Sequence, residues 1–342
     1  MNAPPDGAPI VLDVQHLQTH FFTPGGIVRA VNDVSLRVRK GECVAVVGES
    51  GCGKSATAMS ILRLIPFPPG AIVGGKVLFD GEDLVEATEE RMRQIRGDRI
   101  AMVFQEAGTA LNPVLTVGRQ ITEAIELHRK VGHAEARRDA IELVRMVGIP
   151  DAASRIDNYP HQFSGGMQQR IMIAMALSCH PELIIADEPT TALDVTVQAQ
   201  VLDLMDRMRT THGTAVVLIT HNLGIVARYA ERVNVMYAGD VVESGPTDTI
   251  YGDLLHPYTL GLLRAVPRLD DRADRELCGI PGLPPDLTEM PPGCPYAPRC
   301  PFVMPRCLNE KPALIEETPD HFRACFADPQ LLRNSRLAAL AA

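Results

Sequence analysis

No apolar run in this 342-residue sequence approaches the ~18 residues that a bilayer-spanning helix requires, so no membrane-crossing segment is expected. The opening stretch MNAPPDGAPIVLDV lacks both a cationic segment and an apolar secretory core. A soluble cytoplasmic chain is the expectation, which leaves docking onto a membrane complex open. Excess positive charge is lacking too. There are 33 Lys and Arg against 42 Asp and Glu, a formal net charge of −9, which argues against a nucleic-acid partner. Residues 289–342 carry six Lys or Arg and six Asp or Glu, so the C-terminal region forms no basic patch either. No solenoid-type repeat occurs.

What is present is apolar bulk. Apolar residues make up 46% and charged residues 22%, enough for a sizeable core and too apolar for wholesale disorder. The length suits about two domains of roughly 150 residues each. IVLDVQHLQTHFF and VNDVSLRVRKGE alternate like strands, and CVAVV (43–47) reads as a buried strand. A glycine-rich loop follows, then the helical stretch KSATAMSILRLI, closed by Pro66, Pro68, Pro69 and Gly70. HAEARRDAIELVRMVGIP places Ile141, Val144 and Val147 on one helix face and stops at Gly148 and Pro150. Later come the apolar helix IMIAMALSC, the strand LIIAD (183–187), a helix presenting Val201, Met205 and Met208, and the strand TAVVLIT (214–220). Strands alternating with helices predict an α/β fold with a parallel sheet covered on both faces. The polar helical segment from about 106 to 165 is then an inserted subdomain. After about residue 245 the composition shifts, with nine prolines between Pro281 and Pro305, a density that neither helix nor central strand tolerates.

GESGCGKS (48–55) fits the P-loop pattern G-x-x-x-x-G-K-[ST] between a strand and a helix, the context that gives the pattern meaning. Its glycines let consecutive backbone N–H groups turn onto phosphate oxygens, and the helix N-terminus adds partial positive charge. Gly48, Ser50, Gly51, Cys52, Gly53 and Ala56 are nucleotide-binding candidates. Lys54 would reach the β- and γ-phosphates, and the Ser55 hydroxyl would ligate Mg²⁺. LIIADEP ends a strand on Asp187, a second Mg²⁺ ligand, and Glu188 beside it is placed to orient or deprotonate the attacking water. FSGGMQQR (163–170) is a second Gly-Gly helix start, one without a lysine.

The order P-loop, glutamine, Ser-Gly-Gly, Asp-Glu and then histidine after a strand resembles the ATP-binding-cassette ATPases over roughly residues 10–245. The resemblance implies a P-loop NTPase with a RecA-like parallel sheet, an antiparallel β edge and an inserted helical subdomain. It also implies two cassettes packed head to tail, with each ATP between one P-loop and the partner's signature motif. Ser164, Gly165 and Gly166 resemble that signature, with Met167 where glutamine is commonest, and Asp194 resembles the aspartate that reaches across the dimer. Gln105 in MVFQ corresponds to the glutamine that joins the Mg²⁺ and water site to the helical subdomain. His221 corresponds to the histidine on the γ-phosphate, and Phe21, with Phe22 competing, to the aromatic on adenine.

FQEAGTALNPVLTVGRQI, TTALDVTVQAQVLDLM and HPYTLGLLRAVP resemble oligopeptide, dipeptide and nickel importers, and GCPYAPRCPFVMPRC matches their C-terminal extension. At the second to fifth residues after Gln105 this chain reads Ala-Gly-Thr-Ala where those importers read nearer Pro-Met-Thr-Ser. The resemblance implies an ATPase subunit over 1–245 with an extension over 246–342. It also implies docking beneath two membrane subunits at the cytoplasmic face of the inner membrane, a paralogous second cassette and an extracytoplasmic peptide-binding protein. Dipeptides or oligopeptides are the expected cargo, with nickel and glutathione as alternatives; an ATPase acting on nucleic acid is the rival class.

Cys294, Cys300, Cys307 and Cys325 are separated by five, six and seventeen residues, without the paired C-x₂₋₄-C knuckles of structural zinc. Thiolate-only ligation at such spacing is compatible with an iron–sulfur cluster. The importer resemblance implies [4Fe–4S], with Zn²⁺ or unligated cysteines as alternatives. Cys43, Cys52, Cys179 and Cys278 read as packing residues.

Overall fold

The computed structural model describes residues 7–190, 193–266 and 279–341. Thr191, Ala192, Pro267 and Cys278, which belong to stretches singled out above, lie outside the described residues. No helix among the described residues is long and apolar enough to cross a membrane. The chain forms two compact units. One comprises the residues up to Leu12, Val38–Cys43 and Phe79–Ile219; the other comprises Asp13–Arg37, Val44–Leu78 and the residues from Thr220 onward.

The first unit is built on three parallel strands, Ile100–Val103, Leu183–Asp187 and Ala215–Ile219, with Ile100 opposite Leu183 and Leu183 opposite Ala215. Every residue of the last two strands is buried, which is why they read as continuous apolar runs rather than alternating ones. Around them lie the helices Val117–Arg129, His133–Met146, Gly165–Leu177 and Val195–His212. Thr116, Ser164 and Asp194 cap the first, third and fourth of these with side-chain oxygens that accept a backbone N–H of the first turn. Helix His133–Met146 buries Ala136, Ala140, Leu143 and Val144, whereas Ile141 stays half exposed. Of the expected face, Val144 and Val147 are buried, while Ala136, Ala140 and Leu143 pack where Ile141 was expected to.

In the second unit the strand Cys43–Val47 runs parallel to Arg232–Tyr237, which pairs antiparallel with Asp240–Pro246. Long strands Ile10–Thr23 and Gly26–Arg39 lie beyond, with Asp240 opposite Asp33. Helix Lys54–Ile61 follows the phosphate loop and is four residues shorter than its sequence suggests. Arg63, at φ 52, turns the chain out of helix before the prolines are reached.

The C-terminal segment is irregular where its prolines are dense, and otherwise carries short helices, the longer helix Pro329–Ala341 and the pair Ile315–Thr318 and His321–Arg323. The latter strand pairs antiparallel with Asp240–Pro246. Glu243, wholly buried there, accepts from the Leu255 and His256 backbone N–H groups and bonds His321 Nε2 at 2.9 Å. A buried carboxylate with three partners avoids the desolvation penalty that would otherwise exclude it. Burial lowers the His256 pKa to about 3, so that ring is neutral and its Nδ1 accepts from the Tyr258 N–H.

Candidate functional site

The phosphate loop in the second unit is shaped by what surrounds it. A Cβ on Gly48 would come within 2.3 Å of the Met236 carbonyl oxygen. One on Gly53, at φ 104, would come within 2.1 Å of the Ala30 carbonyl oxygen. Only glycine fits at either place. Lys54, buried at the start of the helix, donates from Nζ to the Gly48 and Glu49 carbonyl oxygens at 2.8 and 3.0 Å. Its ammonium is thus held against the loop, within reach of an anion placed on the loop N–H groups. Cys52 is buried, and that burial pushes its thiol pKa up, so it packs rather than reacts. Ser50 and Gly51 stand at the loop's outer turn, while Ser55 and Ala56 open the helix with their side chains half exposed.

Phe21 is half buried, its ring edge against Gly70, while Phe22 is the more exposed of the two, and its backbone N–H donates to the Pro69 carbonyl. His221 is exposed one residue past Thr220, and the next residue, Asn222, caps helix Leu223–Tyr229.

The first unit carries the acidic candidates. Asp187, 5% exposed, closes the strand Leu183–Asp187. Glu188 follows at φ 46, a left-handed conformation that a glutamate adopts only when its surroundings impose it. Its backbone N–H is held by the Ile219 carbonyl at 2.9 Å, and Gln105 Nε2 donates to its Oε2 at 3.3 Å. A fixed backbone and the Gln105 amide aim this carboxylate, as a general base or water-orienting group requires.

Ser164, Gly165 and Gly166 stand at the N-terminus of helix Gly165–Leu177. Ser164 Oγ accepts from the Met167 N–H at 3.4 Å, and a Cβ on Gly165 would meet nothing within 4 Å. Asp194 caps the helix Val195–His212 through Oδ1, which accepts the Val197 N–H at 3.0 Å, and its side chain is exposed. The signature helix is tied to the glutamine segment by Gln169, 2% exposed, whose Nε2 donates to the Phe104 carbonyl at 3.3 Å. That link leaves no mark in the sequence beyond one glutamine inside a helix.

The four late cysteines, scattered over 32 residues of sequence, line one small cavity together with Tyr296 and Phe302. All seven cysteines among the described residues are free thiols. Backbone N–H groups are aimed at two sulfurs, Phe302 N–H at Cys300 Sγ and Ala327 N–H at Cys325 Sγ, each at 3.4 Å. Burial pushes the Cys300 thiol up to about 12 and the Cys325 thiol up to about 11, so without a ligand both stay protonated at neutral pH. Among the described residues, no three His, Cys, Asp or Glu side chains sit close enough together to close on a single metal ion.

Sequence reasoning did not mark Glu49, Tyr237, Tyr258 or Arg299. Glu49 counts only as a variable position of the P-loop pattern, and its partners Tyr258 and Arg299 lie 209 and 250 residues onward.

Residues 31–191 match the family profile "ABC transporter", and residues 242–307 match "Oligopeptide/dipeptide transporter, C-terminal region". The dipeptide transport ATP-binding protein DppD of Bacillus subtilis is 49% identical over 96% of this chain and 98% of its own length. The oligopeptide transport ATP-binding protein OppD of the same organism is 47% identical over 91% of this chain and 87% of its own. Among solved structures, the dimeric post-hydrolysis state of the ATP-binding cassette MJ0796 with ADP and Pi is similar at a TM-score of 0.63 and 27% identity. That match covers 69% of this chain and 98% of the other.

Proposed function

We propose, from the premise that this chain belongs to the ATP-binding subunits of ABC transporters of the oligopeptide/dipeptide type, that it hydrolyses ATP to drive import of di- or oligopeptides. The observation that carries the residue assignment is the phosphate loop: two glycines crowded by backbone carbonyls and a buried lysine held across the loop. Gly48, Ser50, Gly51, Cys52, Gly53, Lys54, Ser55 and Ala56 hold the nucleotide phosphates, with Phe21 against the adenine. Ser55 and Asp187 offer the oxygen donors that Mg²⁺ prefers, and the Gln105 side-chain carbonyl is a third of the same kind. When bound, Mg²⁺ supplies charge neutralisation at the phosphates. Glu188 takes the proton of the attacking water, Gln105 orients Glu188, and His221 contacts the γ-phosphate.

The signature residues Ser164, Gly165, Gly166 and Asp194 serve the ATP of a second cassette, a paralogue of this chain. The open space at Gly165 supports this reading, because nothing in this chain's own packing requires glycine there. The cassette occupies 1–245, with a helical subdomain at about 106–165, and the importer-type extension occupies 246–342. Two permease subunits and an extracytoplasmic peptide-binding protein complete the machine, with this subunit peripheral at the cytoplasmic face of the inner membrane.

Cys294, Cys300, Cys307 and Cys325 are the ligands of a [4Fe–4S] cluster. One cavity shared by four thiols supports this. A single Zn²⁺, with Zn–S near 2.3 Å, would instead draw its thiolates to about 3.8 Å apart. When bound, the cluster supplies a cross-link to a segment poor in regular structure. Anaerobic purification with assay of iron, sulfide and zinc tests it, and one zinc per chain without iron would overturn it.

In the assembled transporter, Glu188→Gln is expected to lower hydrolysis by about 10²–10⁴-fold while ATP stays bound. Unchanged turnover would remove Glu188 from its role.

A further inference from the structure

Glu49, second in the phosphate loop, brings a carboxylate into a segment whose backbone N–H groups are arranged for an anion. Left to itself, that charge would repel the phosphates the loop is shaped to take. It is instead turned onto Arg299: Nη1 donates to Glu49 Oε2 at 2.6 Å and Nη2 to Oε1 at 2.9 Å, a two-pronged pairing that only a guanidinium provides. The Arg299 side chain is 4% exposed and that of Glu49 is 29% exposed.

The guanidinium is fixed independently of Glu49. Its Nε donates to the Pro281 carbonyl at 2.9 Å, Nη2 also reaches the Ile280 carbonyl, and Nη1 reaches the Tyr237 hydroxyl, both at 3.3 Å. Glu49 is gripped at its backbone as well. Its N–H donates to the Tyr258 hydroxyl at 2.8 Å, and its carbonyl accepts from Lys54 Nζ at 3.0 Å. Tyr237, Tyr258 and Tyr296 pack ring on ring, with centroids 4.7 to 5.4 Å apart, which holds those hydroxyls in place. Both side-chain anchors come from the C-terminal part of the chain, 209 and 250 residues from Glu49.

We propose that Arg299 is a positioning residue of the ATP site, neutralising the Glu49 carboxylate and holding it off the phosphate cradle so that the loop keeps its affinity for Mg·ATP. This rests on the assignment of Gly48 and Ser50–Ser55 as the ATP cradle. A guanidinium that merely stapled the C-terminal segment to the loop would have a different signature. Loss of either partner would then loosen the fold alike, and nothing would be regained by removing both. If neutralisation is the role, harm comes only from an unpaired Glu49.

The experiment is equilibrium binding of Mg·ATP to the full-length chain, with thermal unfolding measured in parallel. Arg299→Gln is expected to weaken binding about tenfold at low salt, and less at high salt as the exposed side of Glu49 is screened. Glu49→Gln is expected to stay within about twofold of the parent, and the double variant to return to within about threefold. Arg299→Lys is expected to recover little, since an ammonium cannot form the fork.

Equal weakening in Arg299→Gln and the double variant would overturn the proposal. So would unchanged binding in an Arg299→Gln chain that only melts earlier. Should Arg299→Gln not fold, the comparison of Glu49→Gln with the double variant decides: a folded double variant that binds tenfold more weakly overturns it. Lys54→Ala separates the two levels. If it binds ATP like the parent, the cradle assignment falls and the inference with it; if it loses ATP while Arg299→Gln retains it, only the inference falls.

Discussion

Two pairs of glycines stand at or just before helix starts in this chain, and they are glycines for different reasons. Gly48 and Gly53 are walled in by the chain's own backbone, at 2.3 Å from the Met236 carbonyl and 2.1 Å from the Ala30 carbonyl. Gly165 faces open space, and Gly166 meets only the end of the Leu193 side chain at 3.2 Å. The first pair is demanded by folding. The second is not, which fits the proposal that Ser164, Gly165 and Gly166 close over a partner's nucleotide. A glycine that its own chain does not require points to an interface.

Gly53→Ala is the harshest way to probe that contrast. A Cβ against backbone at positive φ has nowhere to go, so we expect a loss of about 3 kcal/mol in chemical denaturation and no measurable ATP binding. A Gly53→Ala chain as stable as the parent would break the comparison outright. Gly165→Ala comes next. Hydrolysis by the assembled transporter should fall about 100-fold, while the isolated subunit keeps its ATP affinity and is unchanged or up to ~1 kcal/mol more stable. A destabilised Gly165→Ala subunit would show that the second pair serves folding after all. Ser164→Ala is the mildest. The Ser164 cap is long at 3.4 Å, so its loss should cost the subunit about 0.5 kcal/mol, against about a tenfold drop in hydrolysis by the complex. Equal, small effects in both assays would leave Ser164 as a cap alone.

The phosphate loop, the strand ending in Asp187 and Glu188, and the Ser-Gly-Gly helix start were all legible because each is contiguous. Their geometry is set by neighbours within a few residues, through backbone conformation, capping and apolar periodicity. The buried face of His133–Met146 was less so, since alanines pack where the pattern offered Ile141. The left-handed backbone of Glu188 was not legible at all, because its surroundings and not its side chain impose it.

By itself, then, the sequence determined the cradle, the acidic strand end and the signature helix, since short-range sterics and hydrogen bonding suffice to build each. Only the tertiary structure decided that Arg299 and Tyr258 reach Glu49, and that four unevenly spaced cysteines share one cavity. Pairings across 200 residues or more leave no local pattern. They depend on how strands far apart in the chain pack, and any charged or aromatic residue at those positions looks alike until the packing is known.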